Sequence, residues 1–194
     1  MAMKQPSDLS KHEFVLVHFY RNRNNKVLEI SIRIQPKPKP SSDFDNKDMS
    51  LDKLRKAGLL RSGDEALSGQ EPHRASISQM KITCGDTVWR VLSSDAAKAG
   101  WGPFLYDIAM EMATEANAGL CSHESDVSAD ALKVWEFYFS KRSDVVRTKV
   151  NSQLKPSHSE ECLQYSYKKT PPVIIEELIT LDKWIEGNTD LDCE

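Results

Sequence analysis

Gly100 and Gly102 flank Trp101 and lead straight into Pro103, where a helical pattern begins. The residues ahead of them, Thr87 to Ser93, read as a strand. A strand that passes to a helix through glycines suits an anion. The helix start carries unpaired N–H groups and the positive end of the dipole, and glycines let a phosphate approach the backbone. A purely structural turn is the other reading of the same residues. Further on, Asp107 and Glu111 stand one helical turn apart, as a pair of carboxylates able to act as bases. Cys121 and His123 form a C-x-H. The thiol offers a nucleophile and the imidazole a general base, against the plainer readings of a buried cysteine and an exposed loop histidine.

These groups need elements to hold them. Glu13 to Tyr20 is rich in β-branched and aromatic residues, and Lys26 to Ile34 alternates apolar with polar, so the two read as a hairpin turning at Arg21–Asn25. Alternate prolines from Gln35 to Ser42 predict an extended linker or flap over residues 35–48. Asp48 to Leu60 has a helical pattern with Ser50 as a possible N-cap, and 61–73 reads as a loop. Ala75 to Thr83 and Thr87 to Ser93 are two further strands around a Cys84-Gly85-Asp86 turn. Pro103 to Asn117 is the clearest helix. Phe104, Leu105, Ile108, Ala109, Met112, Ala113 and Ala116 make its apolar stripe, which sends Asp107, Glu111 and Glu115 toward solvent.

Gly119 to Ser122 reads as a short strand. Ser128 to Arg142 is a helix with Ser128 as N-cap and Val127 and Leu132 as a staple. Asp144 to Leu154 is expected to be helical, Glu161 to Lys168 a strand, and Pro171 and Pro172 open a C-terminal helix through Ile185. Residues 1–12 are polar and expected to be disordered, leaving 13–190 as one α/β domain on a mixed sheet.

Composition narrows the class. A net charge of −3 over 194 residues gives no basic footprint for nucleic acid. No apolar run reaches membrane-spanning length and no leader pattern opens the chain, so a cytoplasmic protein is expected. Cys84, Cys121, Cys162 and Cys193 form no C-x-x-C pair, which predicts reduced thiols and no metal site.

The segment Ala97-Lys98-Ala99-Gly100-Trp101-Gly102-Pro103-Phe104, with the apolar-striped helix after it, resembles the signature of the GNAT family of N-acetyltransferases. That signature is Gln/Arg-x-x-Gly-x-Gly/Ala before such a helix. The resemblance covers roughly residues 86–142 and extends to divergent phage-encoded proteins. It implies a GNAT-like mixed sheet and an acyl-CoA-dependent N-acyltransferase, with acetyl-CoA bound at Gly100, Trp101, Gly102, Pro103 and Phe104 and a phosphate paired with Lys98. It also implies an aromatic helix, here the one holding Trp135, Phe137, Tyr138 and Phe139, whose Tyr138 would be the acid for the leaving thiolate, with His123 near the acyl group as base. Trp101 would cover the adenine or the pantetheine arm. The implied partner is an amine acceptor of unknown identity. Ala97 stands where the family has Gln or Arg, and of two late strands the resemblance expects, Glu161–Lys168 is the one the sequence suggests. A GNAT-like protein that binds a protein partner without catalysis is the alternative.

Overall fold

Alternation of apolar and polar residues builds the first half of the chain. In the computed structural model, which describes residues 3–36, 73–81, 87–95, 100–123, 127–150, 160–171 and 173–190, β1 (Glu13–Arg21) and β2 (Val27–Pro36) form the expected antiparallel hairpin, Val15 facing Ile34 and Val17 facing Ile32. β3 (His73–Lys81) and β4 (Thr87–Asp95) extend it, again antiparallel. The 37–72 region with its Pro/Lys segment and proposed helix, the Cys84-Gly85-Asp86 turn, and the loop holding Ala97 and Lys98 lie outside the described residues.

Helix α1 (Trp101–Glu115) follows, then β5 (Gly119–Cys121), α2 (Ala129–Lys141), β6 (Val145–Lys149), β7 (Tyr165–Lys169), α3 (Val173–Thr180) and β8 (Trp184–Asp190). The eight strands of the described residues join one mixed sheet in the order β6-β7-β5-β4-β3-β2-β1-β8. β5 runs parallel to β4, β7 inserts antiparallel between β5 and β6, and β8 runs parallel to β1. The architecture is therefore mixed α/β.

Several expectations are corrected. Residues 3–12 do not fray: Pro6–Asp8 form a 3-10 turn, and Pro6 and Leu9 are buried. α1 starts two residues before Pro103, which sits in the first turn, where a missing N–H costs no helical hydrogen bond. The helix expected from Asp144 is β6, because β-branched Val145, Val146 and Thr148 pair along β7. The strand expected from Glu161 begins as a 3-10 turn over Glu161–Gln164 and becomes β7 at Tyr165.

The C-terminal helix expected to reach Ile185 stops at Thr180. Asp182 adopts φ 54°, and the Lys183 N–H reaches back to the Leu178 carbonyl at 2.9 Å, a left-handed cap that ends α3 and releases the chain into β8. α2 forms as expected, with the Ser128 hydroxyl accepting from the Ala131 N–H at 3.2 Å.

The core lies between the sheet and α1. Val15, Val17, Ile32 and Ile77 from the strands meet Phe104, Leu105, Ile108 and Ala109, while Trp135 and Tyr138 of α2 pack with Tyr106 and Tyr167. α1 is buried on every side from Pro103 to Ala113. Asp107 and Glu111, expected in solvent, are both 0 % exposed; Glu115 is exposed as expected.

Candidate functional site

β4 and β5 are paired over three residues only, Val88 with Gly119, Trp89 with Leu120 and Arg90 with Cys121. β5 ends at Cys121, whereas β4 runs on to Asp95. Among the described residues, β4 has no β5 partner beyond Arg90, which leaves an opening in the pairing at the carboxyl ends of the two parallel strands. Such a divergence is where open α/β sheets accept ligands. The chain leaves β4 at this end and re-enters the described structure at Gly100, immediately before α1.

Gly100 caps α1 with φ 89° and ψ −18°, a left-handed conformation that favours glycine. Trp101 lies against Phe104 with ring centroids 5.4 Å apart, edge to face, and is largely buried, as are Pro103 and Phe104. The Lys4 N–H donates to the Gly100 carbonyl at 3.2 Å, and the Lys4 ammonium stands 5.7 Å from the centre of the Trp101 ring. Farther along the opening, Ser94 Oγ and the Tyr106 hydroxyl share a hydrogen bond of 3.2 Å that ties the end of β4 to α1.

Of the residues expected to carry chemistry, His123 lies nearest in topology. It is half-buried two residues past β5, at the carboxyl end of the parallel pair and so at the same end of the sheet as the glycine turn. Cys121 is buried, and burial pushes its thiol up to about 11 against the opposing pull of Arg90. A thiol held that high is not a nucleophile at neutral pH. Lys98 falls outside the described residues.

Tyr138 belongs to a different assembly. It is 1 % exposed, and its hydroxyl is 2.7 Å from Asp107 Oδ1 and 3.0 Å from the Pro103 carbonyl, both acceptors. Burial first, and then the Asp107 carboxylate, hold the phenol well above the ordinary tyrosine range. The group is a locked donor in the core rather than an acid facing the opening.

Around it stands a network that the sequence did not disclose. Arg142 donates to both Asp107 oxygens at 3.2 and 3.0 Å and also to Asp144. Lys169 Nζ bridges Asp107 at 3.4 Å and Glu111 at 2.6 Å. Glu111 further accepts the backbone N–H groups of Ile174 at 3.1 Å and Ile175 at 2.9 Å, at the start of α3. The carboxylates expected on the solvent face, with a base role as the other reading, are charge-paired tethers joining α1 to α2, β7 and α3. Their partners lie 31 to 64 positions away along the chain, a separation local patterning does not span.

Comparison with known proteins returns no matching family model, no matching curated protein and no matching solved structure. The functional reading therefore rests on the geometry. Among the described residues, no group of three His, Cys, Asp or Glu is placed to hold a metal ion, and no helix is long and apolar enough to cross a membrane.

Proposed function

We propose that this chain is a GNAT-like acyl-CoA-dependent N-acyltransferase, using acetyl-CoA as donor toward an amine acceptor. The observation that carries the reading is that the parallel pairing of β4 and β5 ends after three residue pairs, with α1 starting on a left-handed glycine at that same end. Of the three described strands after α2, β6 and β7, with β7 between β5 and β6, would supply the late pair that the family resemblance expects, while β8 lies beside β1 and goes beyond it.

The residues present fit such a cofactor. Gly100 and Gly102 put no side chain in the way of a phosphate, and the start of a helix carries backbone N–H groups and a positive dipole end. The β5-facing side of β4 past its last pair at Arg90 is where an extended arm would run. Bound acetyl-CoA supplies an activated thioester. The chain's own part is to orient it, to exclude water with Trp101 and Phe104, and to take the proton from the attacking amine at the His123 imidazole.

A second reading is favoured by one set of contacts. Tyr138 is held by Asp107 in the core, and Trp101 packs at the turn itself, which suits a GNAT-like scaffold that binds a partner without catalysis. Titration with acetyl-CoA, with CoA and ATP as controls, separates the two. A rise in melting temperature with acetyl-CoA and CoA but not ATP, followed by acetyl transfer to a panel of amines, is expected of the enzyme. No shift at millimolar ligand overturns cofactor binding. A shift without transfer, unchanged by His123→Ala, leaves the scaffold reading.

A further inference from the structure

The sheet ends on β6 at one side and β8 at the other, and among the described residues neither carries a strand on its far side. One hydrogen bond apiece tells which main-chain groups each edge turns outward. The Val150 N–H donates to the Gln164 carbonyl at 2.9 Å, in register with the antiparallel β6–β7 pairing. The main-chain groups of Val146 and Thr148 therefore point toward β7, and those of Val145, Arg147 and Lys149 point away from it. The Val15 N–H donates to the Lys183 carbonyl at 2.8 Å, in register with the parallel β1–β8 pairing. Ile185 and Gly187 thus turn toward β1, while Trp184, Glu186 and Asn188 turn away.

The residues that offer these groups also carry charge, of opposite sign on the two edges. Arg147 and Lys149 are exposed on β6, and Glu186 is exposed on β8. Within the described residues, Arg147 and Glu186 meet neutral partners: the Arg147 guanidinium lies 4.4 Å from the centre of the Phe139 ring and donates to the Phe139 carbonyl, and Glu186 accepts from Trp184 Nε1 at 2.8 Å. Both sets of side chains lie on the face that the helices cover, since Val145 is part of the core and Trp184 packs against it at the same alternation. Followed across the sheet, the pairings leave β6 and β8 running in opposite directions.

We infer that copies of this chain join head to tail, β8 of one copy adding antiparallel to β6 of the next, so that one sheet continues from copy to copy. A neighbour placed without being flipped presents its β8 antiparallel to β6 and keeps its helices on the same face. The outward-turned residues then make the hydrogen-bonded pairs of the new ladder. Alternation allows Glu186 to stand across from Arg147 or from Lys149, and either register sets opposite charges against each other, which favours the pairing. Joining like edges does the reverse. β6 against β6 sets Arg147 and Lys149 against themselves. β8 against β8 crowds the two Glu186 side chains, with Glu176 and Glu115 nearby; the Glu115 carboxyl is already raised, first by burial and then by the charges of Glu111, Glu186 and Glu176. Like charges across a ladder are destabilising, so the twofold arrangements are disfavoured and the heterologous one remains.

The contact does not depend on the acyltransferase reading. Its test is sedimentation velocity on the full chain, on Glu186→Lys, and on the paired change Arg147→Glu with Lys149→Glu, the two variants taken alone and mixed. The full chain is expected to gain mass as its concentration rises. Either variant alone sets like charges across the contact and is expected to associate about tenfold more weakly. In an equal mixture the unchanged β6 of one variant meets the unchanged β8 of the other, so association is expected to return. If the paired change does not fold, Lys149→Glu alone takes its place. A full chain that stays monomeric up to about 1 mM overturns the proposal. A β6 variant that associates as strongly as the full chain overturns it too, as does a mixture no more associated than its parts.

Discussion

The two halves of the sheet are held by different means. From β1 to β4 the strands are nine or ten residues long, paired along their length, and their inner residues are aliphatic apart from Trp89. From β5 to β6 the strands are three to five residues long, and β5 meets β7 through one residue pair, Leu120 with Tyr167. In that half a buried network of Asp107, Glu111, Arg142 and Lys169 and a cluster of aromatic rings replace the long ladder. The comparison teaches that the opening between β4 and β5 is bordered by a wall built on hydrogen-bonded strands and a wall built on side chains. A half with few ladder bonds must find its order elsewhere, and paired charges with fixed geometry supply it.

The sharpest way to break this comparison is Glu111→Ala. It strands Lys169 and leaves the N–H groups of Ile174 and Ile175 without their acceptor. A loss of about 3–5 kcal/mol in urea unfolding is expected, the range for removing one partner of a buried pair. A loss under about 1 kcal/mol, as for an exposed pair, would equate this network with surface charges and end the contrast. Gly119→Val tests the short strand itself. A Cβ at Gly119 would stand 2.8 Å from the Ser166 Cβ, so β5 and β7 must move apart, at a cost of about 1–3 kcal/mol read from the shift in melting temperature.

Tyr138→Phe removes the donor to Asp107 and the Pro103 carbonyl while keeping the ring. About 1 kcal/mol of stability is expected to go, with any acetyl transfer keeping its pH profile. Loss of the alkaline limb with unchanged stability would return Tyr138 to the role of acid. Smaller still is the contribution of Asp144, whose carboxyl is held below the ordinary aspartate value first by its hydrogen bond from Arg142. Its folded value is depressed, so its stabilisation is complete above the unfolded value of 3.8 and fades as pH falls through the folded one. Melting curves of the native chain and Asp144→Asn should differ at neutral pH and converge toward about pH 2.

The least perturbing test is alkylation. In a Cys84→Ser, Cys193→Ser background, Cys121 and Cys162 should resist iodoacetamide at neutral pH, since burial pushes each thiol up to about 11. Rapid labelling of Cys121 would restore it as a candidate nucleophile.

The same division decides what the sequence could reveal. The hairpin, β4, α1 and α2 follow from local periodicity and caps, and their residues obey the pattern that names them. The side-chain-built half does not announce itself. Asp107 and Glu111 occupy the polar stripe of an amphipathic pattern, yet that stripe is covered by Lys169 and Arg142, which local spacing cannot bring near. Val145, Val146 and Thr148 carried a strand signal that a short helical reading of Asp144–Leu154 overrode. Trp184 and Ile185 continue the apolar rhythm of α3, so only the left-handed Asp182 shows where the helix ends. At the site, the glycine turn was legible as a type of object. The contact of Lys4 with Gly100 was not, because nothing local links residues that polar composition marks as frayed to a turn so far along the chain.

The parallel pairing of β8 with β1 bears on how the chain comes together during synthesis. Val15 meets Trp184, and Arg21 binds Asn188 from 167 positions away. β1 can join β2 as soon as the hairpin leaves the ribosome, but its pairing with β8 must wait until Trp184–Asp190 have been made. Such a late, long-range closure slows folding and leaves a bare strand edge exposed to other nascent chains. Crowded expression should therefore favour aggregation through β1 in any chain that stops short of β8.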